Sequence, residues 1–259
     1  MIIAINGKGR SGKDTVAGII AEEYGFTQVA FADVLKRVLQ EVYGFTDEQL
    51  WGPSENRDKP DGRYRRDGGV ADGPEIVDQE VLGPVFDQYA PQEDGSNWGA
   101  YLTTRTALLK LGDALRDCYP HTIVDYGMRV AKKLLKSHIW RYDRRRGVYT
   151  VPETREWDEA DRQEAERVKG VLFSDARLWR ELEQVKIRGG HIIRITRPGA
   201  ELGEEAAGHI TESEMDSIPD SEFHYVLAND GTLEDLPTKI AEMMAHLKAN
   251  PTYLQQYPV

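Results

Sequence analysis

Short apolar runs and helically spaced apolar positions alternate along most of the chain. Apolar runs bounded by turn residues predict buried strands at 2–5, 27–31, 171–174, 191–196 and 225–230. Apolar positions at helical spacing predict helices at 15–24, 33–42, 103–118, 123–135, 178–185 and 232–247. Such alternation is typical of an α/β fold whose mostly parallel sheet carries helices on both faces. We therefore expect a five-stranded sheet with ligands bound beyond the carboxyl ends of its strands.

Two stretches do not follow this pattern. Residues 52–100 are rich in Gly, Pro, Asp, Asn and Arg and show little periodicity, which indicates a loop-rich insertion. Residues 138–169 are highly charged, and the part from 153 to 168 is compatible with a solvent-exposed helix. We interpret the chain as a single domain spanning 1–259 that carries these two insertions.

The charge balance narrows the classes of partner. The chain has 259 residues, which is enough for one large domain with a substantial core. Its 33 basic and 44 acidic side chains give a formal net charge of -11, which would repel a long polyanion. A nucleic-acid partner is therefore not expected, although a local basic cleft for a small anion is compatible with this charge.

The cysteine count and the N-terminal residues bear on location. The single cysteine, Cys118, cannot form an internal disulfide, which fits a reducing compartment. The first residues lack the charged lead and apolar core of a signal peptide. No apolar run approaches the ~18 residues that a membrane span needs. We therefore expect a cytoplasmic protein with no membrane partner.

The segment GKGRSGK at 7–13 carries the strongest chemical signal, because it directly follows the first predicted strand and opens the first predicted helix. Glycines at this spacing let the backbone wrap closely around phosphate oxygens. Successive N–H groups and the helix N-terminus then point at the anion, and Lys13 supplies a positive charge for the β- and γ-phosphates. The segment predicts a binding loop for the triphosphate of ATP. Its candidate residues are Gly7, Gly9, Ser11, Gly12, Lys13, Asp14 and Thr15.

The expected Mg²⁺ site departs from the usual form of this loop. The residue after Lys13 is Asp14 rather than Ser or Thr, so the usual hydroxyl ligand is replaced by a carboxylate or displaced to Thr15. The apolar run at 171–174 ends in Asp175, where an acid can hold Mg²⁺ or its water shell. An ordinary turn explains Asp175 as well. The candidate metal ligands are therefore Asp14, Thr15 and Asp175.

Several short segments together resemble a known family. In chain order they are GKGRSGKDT (7–15), FADVLK (31–36), LLKLGDALR (108–116), SDARLWRELE (174–183), GGHIIRITRPG (189–199), HITESE (209–214) and ANDGTLEDL (228–236). This set resembles the bacteriophage deoxynucleoside monophosphate kinases, a nucleoside monophosphate kinase branch of the P-loop NTPase fold. The resemblance covers about half of the chain and excludes 52–100 and 138–169.

The resemblance carries functional expectations. It implies ATP as phosphoryl donor, Mg²⁺, and a deoxynucleoside monophosphate that is converted to the diphosphate to supply DNA synthesis. It also implies a homodimer in the host cytoplasm. On the donor side, Gly7, Gly12, Lys13, Asp14 and Thr15 match the phosphate site, and Asn229 and Gly231 match the loop near the donor base.

On the acceptor side, the resemblance assigns further residues. Asp33 and Lys36 match the acceptor side of the cleft, and Arg105 and Arg116 match arginines that grip the acceptor phosphate. The pattern D-x-R-x-x-x-E is matched by Asp175, Arg177 and Glu181. Arg197 matches the root of a mobile lid at 197–214.

Each acceptor-side residue also has a plain structural interpretation. Asp33 suits a helix N-cap, Lys36 and Arg116 suit a helix surface, and Arg105 suits a pair with an acid. Arg177 and Glu181 are four residues apart, which suits a surface ion pair.

Other side chains leave two interpretations open. Arg144–Arg146 form either a solvated turn or part of an acceptor lid, and His209 is either catalytic or a packing residue. Trp98, Tyr101 and Trp140 are candidates for stacking on a base, with core packing as the alternative.

Transfer between two phosphates needs alignment and charge neutralisation more than a strong base, because the acceptor oxygen is already ionised. We expect Lys13 and Mg²⁺ to hold ATP, and Arg105 and Arg116 to hold the acceptor phosphate. Arg197 would close over the transferred group, while Asp33 would orient the acceptor.

Other functions fit the same loop. The first is another P-loop small-molecule kinase, acting on phosphomevalonate or dephospho-coenzyme A. The second is a nucleotide-binding switch or regulatory protein, such as an ATPase. The third is a catalytically silent binding module. A GTPase switch is disfavoured because the sequence has no N-K-x-D motif.

Overall fold

The structure is a computed structural model that describes residues 1–66, 93–136, 141–150, 168–199 and 217–252. The chain divides into two compact units, Met1–Asp33 with Tyr119–Val259, and Val34–Cys118. The predictions for 153–167, Trp140, His209 and most of the lid segment 197–214 lie outside the described residues, and the single-domain interpretation stays a prediction. In the described part of the chain, no helix is both long and apolar enough to cross a bilayer.

The described chain contains nine strands and seven α-helices. The strands are β1 (Ile2–Asn6), β2 (Phe26–Val29), β3 (Pro60–Arg65), β4 (Tyr101–Thr103), β5 (Arg141–Asp143), β6 (Val148–Thr150), β7 (Gly170–Phe173), β8 (His191–Thr196) and β9 (Tyr225–Ala228). The α-helices are α1 (Lys13–Tyr24), α2 (Asp33–Tyr43), α3 (Asp47–Trp51), α4 (Thr104–Cys118), α5 (Thr122–Lys136), α6 (Trp179–Ile187) and α7 (Leu236–Ala249). Short 3-10 turns lie at Ser54–Arg57, Trp98–Ala100 and Asp220–Glu222.

The first unit contains a five-stranded sheet in the order β2-β7-β1-β8-β9. All neighbouring strands run parallel, which confirms the predicted sheet. The central strand β1 pairs with β7 through Ile3 and Leu172, and with β8 through Ala4 and Ile192. After β1 the chain goes to one side of the sheet, and it later returns to β8 on the other side. Ligands bind at such a switch point, beyond the carboxyl ends of the strands.

Helices cover both faces of this sheet, as predicted. On one face, α1 and α7 bury a continuous core against the strands. That core includes Ile3, Ile5, Val16, Ile20, Leu172, Ile193, Ile240 and Met243. On the other face, α5 lies close to the sheet at Gly127, where a Cβ atom would come within 2.8 Å of Phe31 and 3.1 Å of Phe173. The rings of Phe31 and Phe173 stack there with centroids 4.3 Å apart.

The second unit corrects part of the predicted loop-rich insertion at 52–100. Residues 60–65 form β3, which pairs antiparallel with β4, including Asp61 opposite Leu102. The polar sequence of β3 can form a strand because Arg63 binds the buried Asp61 carboxylate at 2.7 Å. This unit has its own core of Leu39, Phe45, Leu50 and Ala107. Similarly, 141–150 within the second predicted insertion is a β-hairpin formed by β5 and β6.

Two predicted element boundaries were wrong, and in both cases a side-chain carboxylate that accepts hydrogen bonds is the reason. Strand β2 ends at Val29 rather than 31, because the backbone N–H groups of residues 30–32 donate to carboxylates instead of to a strand. Helix α7 begins at Leu236 rather than 232, because the Asp235 carboxylate accepts from the N–H of Thr232 and closes a turn there.

Candidate functional site

Two glycines in the loop between β1 and α1 lie very close to neighbouring residues. A Cβ atom on Gly7 would lie 2.7 Å from Ser11 Oγ and 3.0 Å from the Ile195 carbonyl oxygen. A Cβ atom on Gly12 would lie 2.3 Å from Asn229 Nδ2, and Gly12 has a left-handed φ of +87°. Both positions therefore require glycine. The other left-handed residue in this loop is Arg10, with a φ of 63°.

The interior of this loop has unused hydrogen-bonding capacity. Ser11 is 1% exposed, and its Oγ has no hydrogen-bond partner among the residues that the structure describes. A buried polar atom without a partner costs about 1–3 kcal/mol, so a ligand oxygen here would be stabilising. Helix α1 starts directly after the loop, with Lys13 as its first residue, and its N-terminus favours an anion. The loop thus fits a phosphate group.

Asn229 connects this loop to the end of β9. Its backbone N–H donates to Thr196 O at 2.7 Å, and its side-chain Nδ2 donates to Ser11 O at 2.9 Å. The side chain predicted to lie near the donor base therefore contacts the backbone of the phosphate loop. Gly231 follows in the turn before α7, where its Cβ would lie 2.8 Å from Asp235 Oδ2.

Asp175 lies directly beyond β7 and holds the connection between β2 and α2. Its Oδ1 accepts from Phe31 N at 2.8 Å, and its Oδ2 accepts from Ala32 N at 2.9 Å. Burial raises the pKa of Asp175, as does the nearby charge of Asp33, while the two N–H donors act in the opposite direction. Asn6, at the end of β1, donates to Ala176 O at 3.0 Å and thereby joins this segment to the start of the phosphate loop.

Asp33 is buried and bound from two directions. Its Oδ2 accepts from Ala30 N at 2.9 Å and from Arg144 Nε at 2.8 Å, and its Oδ1 accepts from Arg144 Nη2 at 3.1 Å. The side chain of Asp33 is 2% exposed. The solvated-turn interpretation of 144–146 is therefore wrong for Arg144, although it holds for Arg146, whose side chain is 82% exposed. No local sequence signal links Arg144 to Asp33.

The two predicted phosphate-gripping arginines lie on α4 in the second unit and pair with acids. Arg105 binds Asp58 with both Nε and Nη2 and contacts Ser54, and Arg116 Nη2 binds Asp113 Oδ1 at 2.7 Å. The two arginines are eleven positions apart in α4, about 16 Å along the helix axis. One phosphate would contact both guanidinium groups only if the two side chains turned toward each other.

Other predicted residues also have structural contacts. In the second unit, Lys36 Nζ lies 5.5 Å from the centre of the Trp51 ring, and Tyr101 is buried at 2% exposure, which agrees with core packing. In the first unit, Glu181 Oε2 accepts from the backbone N–H groups of Arg177 at 2.9 Å and Leu178 at 3.2 Å. Glu181 is therefore a buried acceptor at the start of α6 rather than a surface group.

Trp98 and Arg197 are the more exposed candidates. Trp98 is 37% exposed in the second unit. Arg197 is exposed in the first unit and directly follows β8, at the same edge of the sheet as the phosphate loop.

The metal candidates fit an ion that arrives with a nucleotide. Asp14 and Thr15 are exposed in the first turn of α1, and Asp175 lies beyond β7. Among the described residues, no three His, Cys, Asp or Glu side chains are grouped to hold a metal. Mg²⁺ commonly keeps several waters and is held by one or two carboxylates plus substrate phosphates.

The chain resembles a kinase family model and a viral protein described as a putative kinase. A family model described as "Deoxynucleotide monophosphate kinase" matches residues 1–68, which contain the phosphate loop, Asp33 and Lys36. A protein of Acanthamoeba polyphaga mimivirus, "Putative deoxynucleotide monophosphate kinase", is 27% identical over 241 residues, 93% of each chain.

Two solved structures also align along nearly the whole length. The structure of TT1252 from Thermus thermophilus is 18% identical, with a TM-score of 0.39 over 95% of this chain and 97% of that one. The dephospho-CoA kinase from Campylobacter jejuni is 13% identical, with a TM-score of 0.39 over 96% of this chain and 98% of that one.

Proposed function

We propose that this protein is a nucleotide kinase that transfers the γ-phosphoryl group of ATP to a deoxynucleoside monophosphate. The observation that carries the proposal is the loop at 7–12, in which two glycines permit close backbone approach and the Ser11 hydroxyl is buried without a partner in the described chain. The similarity of residues 1–68 to a deoxynucleotide monophosphate kinase family model supports the choice of acceptor.

In the proposed reaction, an oxygen of the acceptor phosphate forms a bond to the γ-phosphorus of ATP. The bond from that phosphorus to the β–γ bridging oxygen breaks, which yields ADP and a deoxynucleoside diphosphate. The N–H groups of the loop and the Lys13 ammonium hold the donor phosphates, and Ser11 Oγ donates to one of their oxygens. When bound, Mg²⁺ would supply further neutralisation of the phosphate charge, with Asp14, Thr15 and Asp175 as its candidate ligands.

On the acceptor side, we propose that Asp33 orients the nucleoside. Its carboxylate is fixed by Ala30 N and Arg144, so it presents its remaining lone pairs in set directions to an O–H or N–H donor. Arg197 lies at the same edge of the sheet and is the exposed cation proposed to neutralise the transferring group. Arg105 and Arg116 would have to leave Asp58 and Asp113 to bind the acceptor phosphate.

A coupled assay of ADP release tests this function across the four deoxynucleoside monophosphates, the four ribonucleoside monophosphates, dephospho-coenzyme A and phosphomevalonate. We expect acceptor-dependent ADP release with at least one deoxynucleoside monophosphate. Turnover with dephospho-coenzyme A or phosphomevalonate alone would establish another small-molecule kinase. ADP release that no acceptor stimulates would establish an ATPase, and ATP binding without any turnover would indicate a regulatory module.

A further inference from the structure

Hydrogen bonds close the turn between β5 and β6, and one arginine of this turn binds Asp33. Asp143 Oδ1 accepts from the backbone N–H groups of Arg145 at 2.9 Å and Arg146 at 3.2 Å. Gly147 N donates to Asp143 O at 2.7 Å, and Gly147 has the left-handed φ of 68° that such a turn needs. The three successive arginines therefore have different environments, because Arg144 binds Asp33 while the Arg146 side chain is 82% exposed.

The body of this hairpin is attached to α5. The rings of Tyr142 and Tyr149 pack with centroids 4.9 Å apart across the two strands. Lys133 Nζ of α5 lies 3.8 Å from the centre of the Tyr149 ring, a cation–π contact. The hairpin is thus held by α5 at its strands and by Asp33 at its turn.

The contact between Arg144 and Asp33 fixes the plane of the carboxylate. Two guanidinium nitrogens bind the two carboxylate oxygens at 2.8 Å and 3.1 Å, a geometry more specific than that of a single ion pair. Since Asp33 is 2% exposed, loss of the partner would leave a buried charge without its counter-ion. Asp175 lies near enough for its negative charge to act on Arg144 as well.

We propose that Arg144 is a positioning residue for the acceptor, which acts by holding the Asp33 carboxylate in the orientation that receives an O–H or N–H donor of the nucleoside. This inference rests on the proposed function. Because Asp33 Oδ2 already accepts from Ala30 N and Arg144 Nε, its Oδ1 has more capacity left for a ligand. Rotation of the carboxylate would turn the remaining acceptor site of Oδ1 away from that donor.

A double-mutant cycle tests the inference in the full chain with the deoxynucleoside monophosphate that the wild type accepts. We expect Arg144→Met and Asp33→Asn each to raise the KM for that monophosphate about tenfold, with a much smaller change in the KM for ATP. The double variant should be no worse than Asp33→Asn alone, because Arg144 acts through Asp33. Arg144→Lys, which keeps the positive charge, should raise the KM for the monophosphate by less than Arg144→Met does. Arg146→Met, with the same loss of charge on the same turn, should have the KM of the wild type.

Urea unfolding of each variant separates positioning from folding. The inference is overturned if Arg144→Met leaves the monophosphate KM unchanged, if it raises the KM values for both substrates equally, or if the two substitutions have additive effects. If the wild type phosphorylates no monophosphate, the proposed function fails as well, whereas an active wild type with an unaffected Arg144→Met variant overturns this inference alone. Should Arg144→Met not fold, the partial effect of Arg144→Lys on the monophosphate KM decides in its place.

Discussion

The side-chain amide of Asn229 donates to the carbonyl oxygen of Ser11 at 2.9 Å and so joins the end of β9 to the phosphate loop. The two residues are 218 positions apart in the sequence. The bond holds the Ser11 carbonyl in place. Ser11 Oγ is on the same residue, and the N–H of Gly12 is in the same peptide group. Asn229 thus holds the backbone of the phosphate loop.

We expect Asn229→Ala to raise the KM for ATP about three- to tenfold, because a net hydrogen bond contributes about 0.5–1.5 kcal/mol. Steady-state kinetics with ATP varied would measure the change. Asn250→Ala is the matched control, since Asn250 Nδ2 also donates to a backbone carbonyl, that of His246 at 2.9 Å. Equal KM values for ATP in the two variants would argue against a role for Asn229 in the loop.

Gly12→Ala should reduce ATP affinity and lower stability by about 1–3 kcal/mol, since the new Cβ would lie 2.3 Å from Asn229 Nδ2 and φ is +87°. Calorimetric titration with ATP and urea unfolding would measure the two effects. Gly18→Ala in the same helix is the control, because a Cβ there meets nothing within 4 Å. That variant should be stabilised by about 0.5–1 kcal/mol. A Gly12→Ala variant with the ATP affinity and stability of the wild type would contradict the prediction.

Lys13→Ala should lower kcat by about two to three orders of magnitude without unfolding the protein, because in the proposed reaction the ammonium neutralises charge that develops on the donor phosphates. Single-turnover and steady-state assays would report the loss, and circular dichroism would check the fold. Lys8→Ala removes the same charge from the same loop outside the first turn of α1 and should have a much smaller effect. Near-normal turnover in Lys13→Ala would remove the loop from the mechanism.

Stability should decrease in mild acid because of His191. Burial lowers the pKa of His191 to about 4, and the charges of His224, the N-terminus and His246 act in the same direction. The side chain therefore stays neutral in the folded protein where the unfolded chain, with a pKa of 6.5, already binds a proton. The resulting stability is fully present above pH 6.5 and is lost progressively as the pH falls toward about 4. The loss amounts to as much as about 3 kcal/mol.

Urea unfolding at pH values above and below 6.5 would measure this loss. His224 contributes in the same direction, since burial and the charge of Lys186 lower its pKa as well. His191→Leu should therefore flatten the pH dependence without abolishing it. An unchanged slope in that variant would show that other groups control the acid response.

The parallel sheet and the phosphate loop were predictable because their signals are local. Apolar runs such as IIAIN in β1 identify strands that are buried on both faces, and GKGRSGK follows one of them directly. By contrast, β3 has the sequence PDGRYR, and its strand character depends on a pairing with β4 and on the Arg63–Asp61 ion pair. Neither contact can be predicted from the spacing of hydrophobic residues.

The acceptor side was less predictable because its contacts are long-range. Arg144 and Asp33 are 111 positions apart, and Arg144 stands in a run of three arginines that looks uniformly solvated. In the structure, the turn closed by Asp143 gives these arginines different environments. Asp175 shows the same limitation, because its carboxylate binds the backbone N–H groups of Phe31 and Ala32, which lie 144 and 143 positions away.

The two bonds from Asp175 to Phe31 N and Ala32 N have a thermodynamic consequence. A cation that binds this carboxylate draws on the same oxygens that fix the polypeptide just before Asp33. Under the proposed function, cation uptake and nucleoside capture would then be linked equilibria, and each ligand would change the affinity of the other by the same factor. This coupling would be measured as a cation-dependent change in the affinity for the nucleoside.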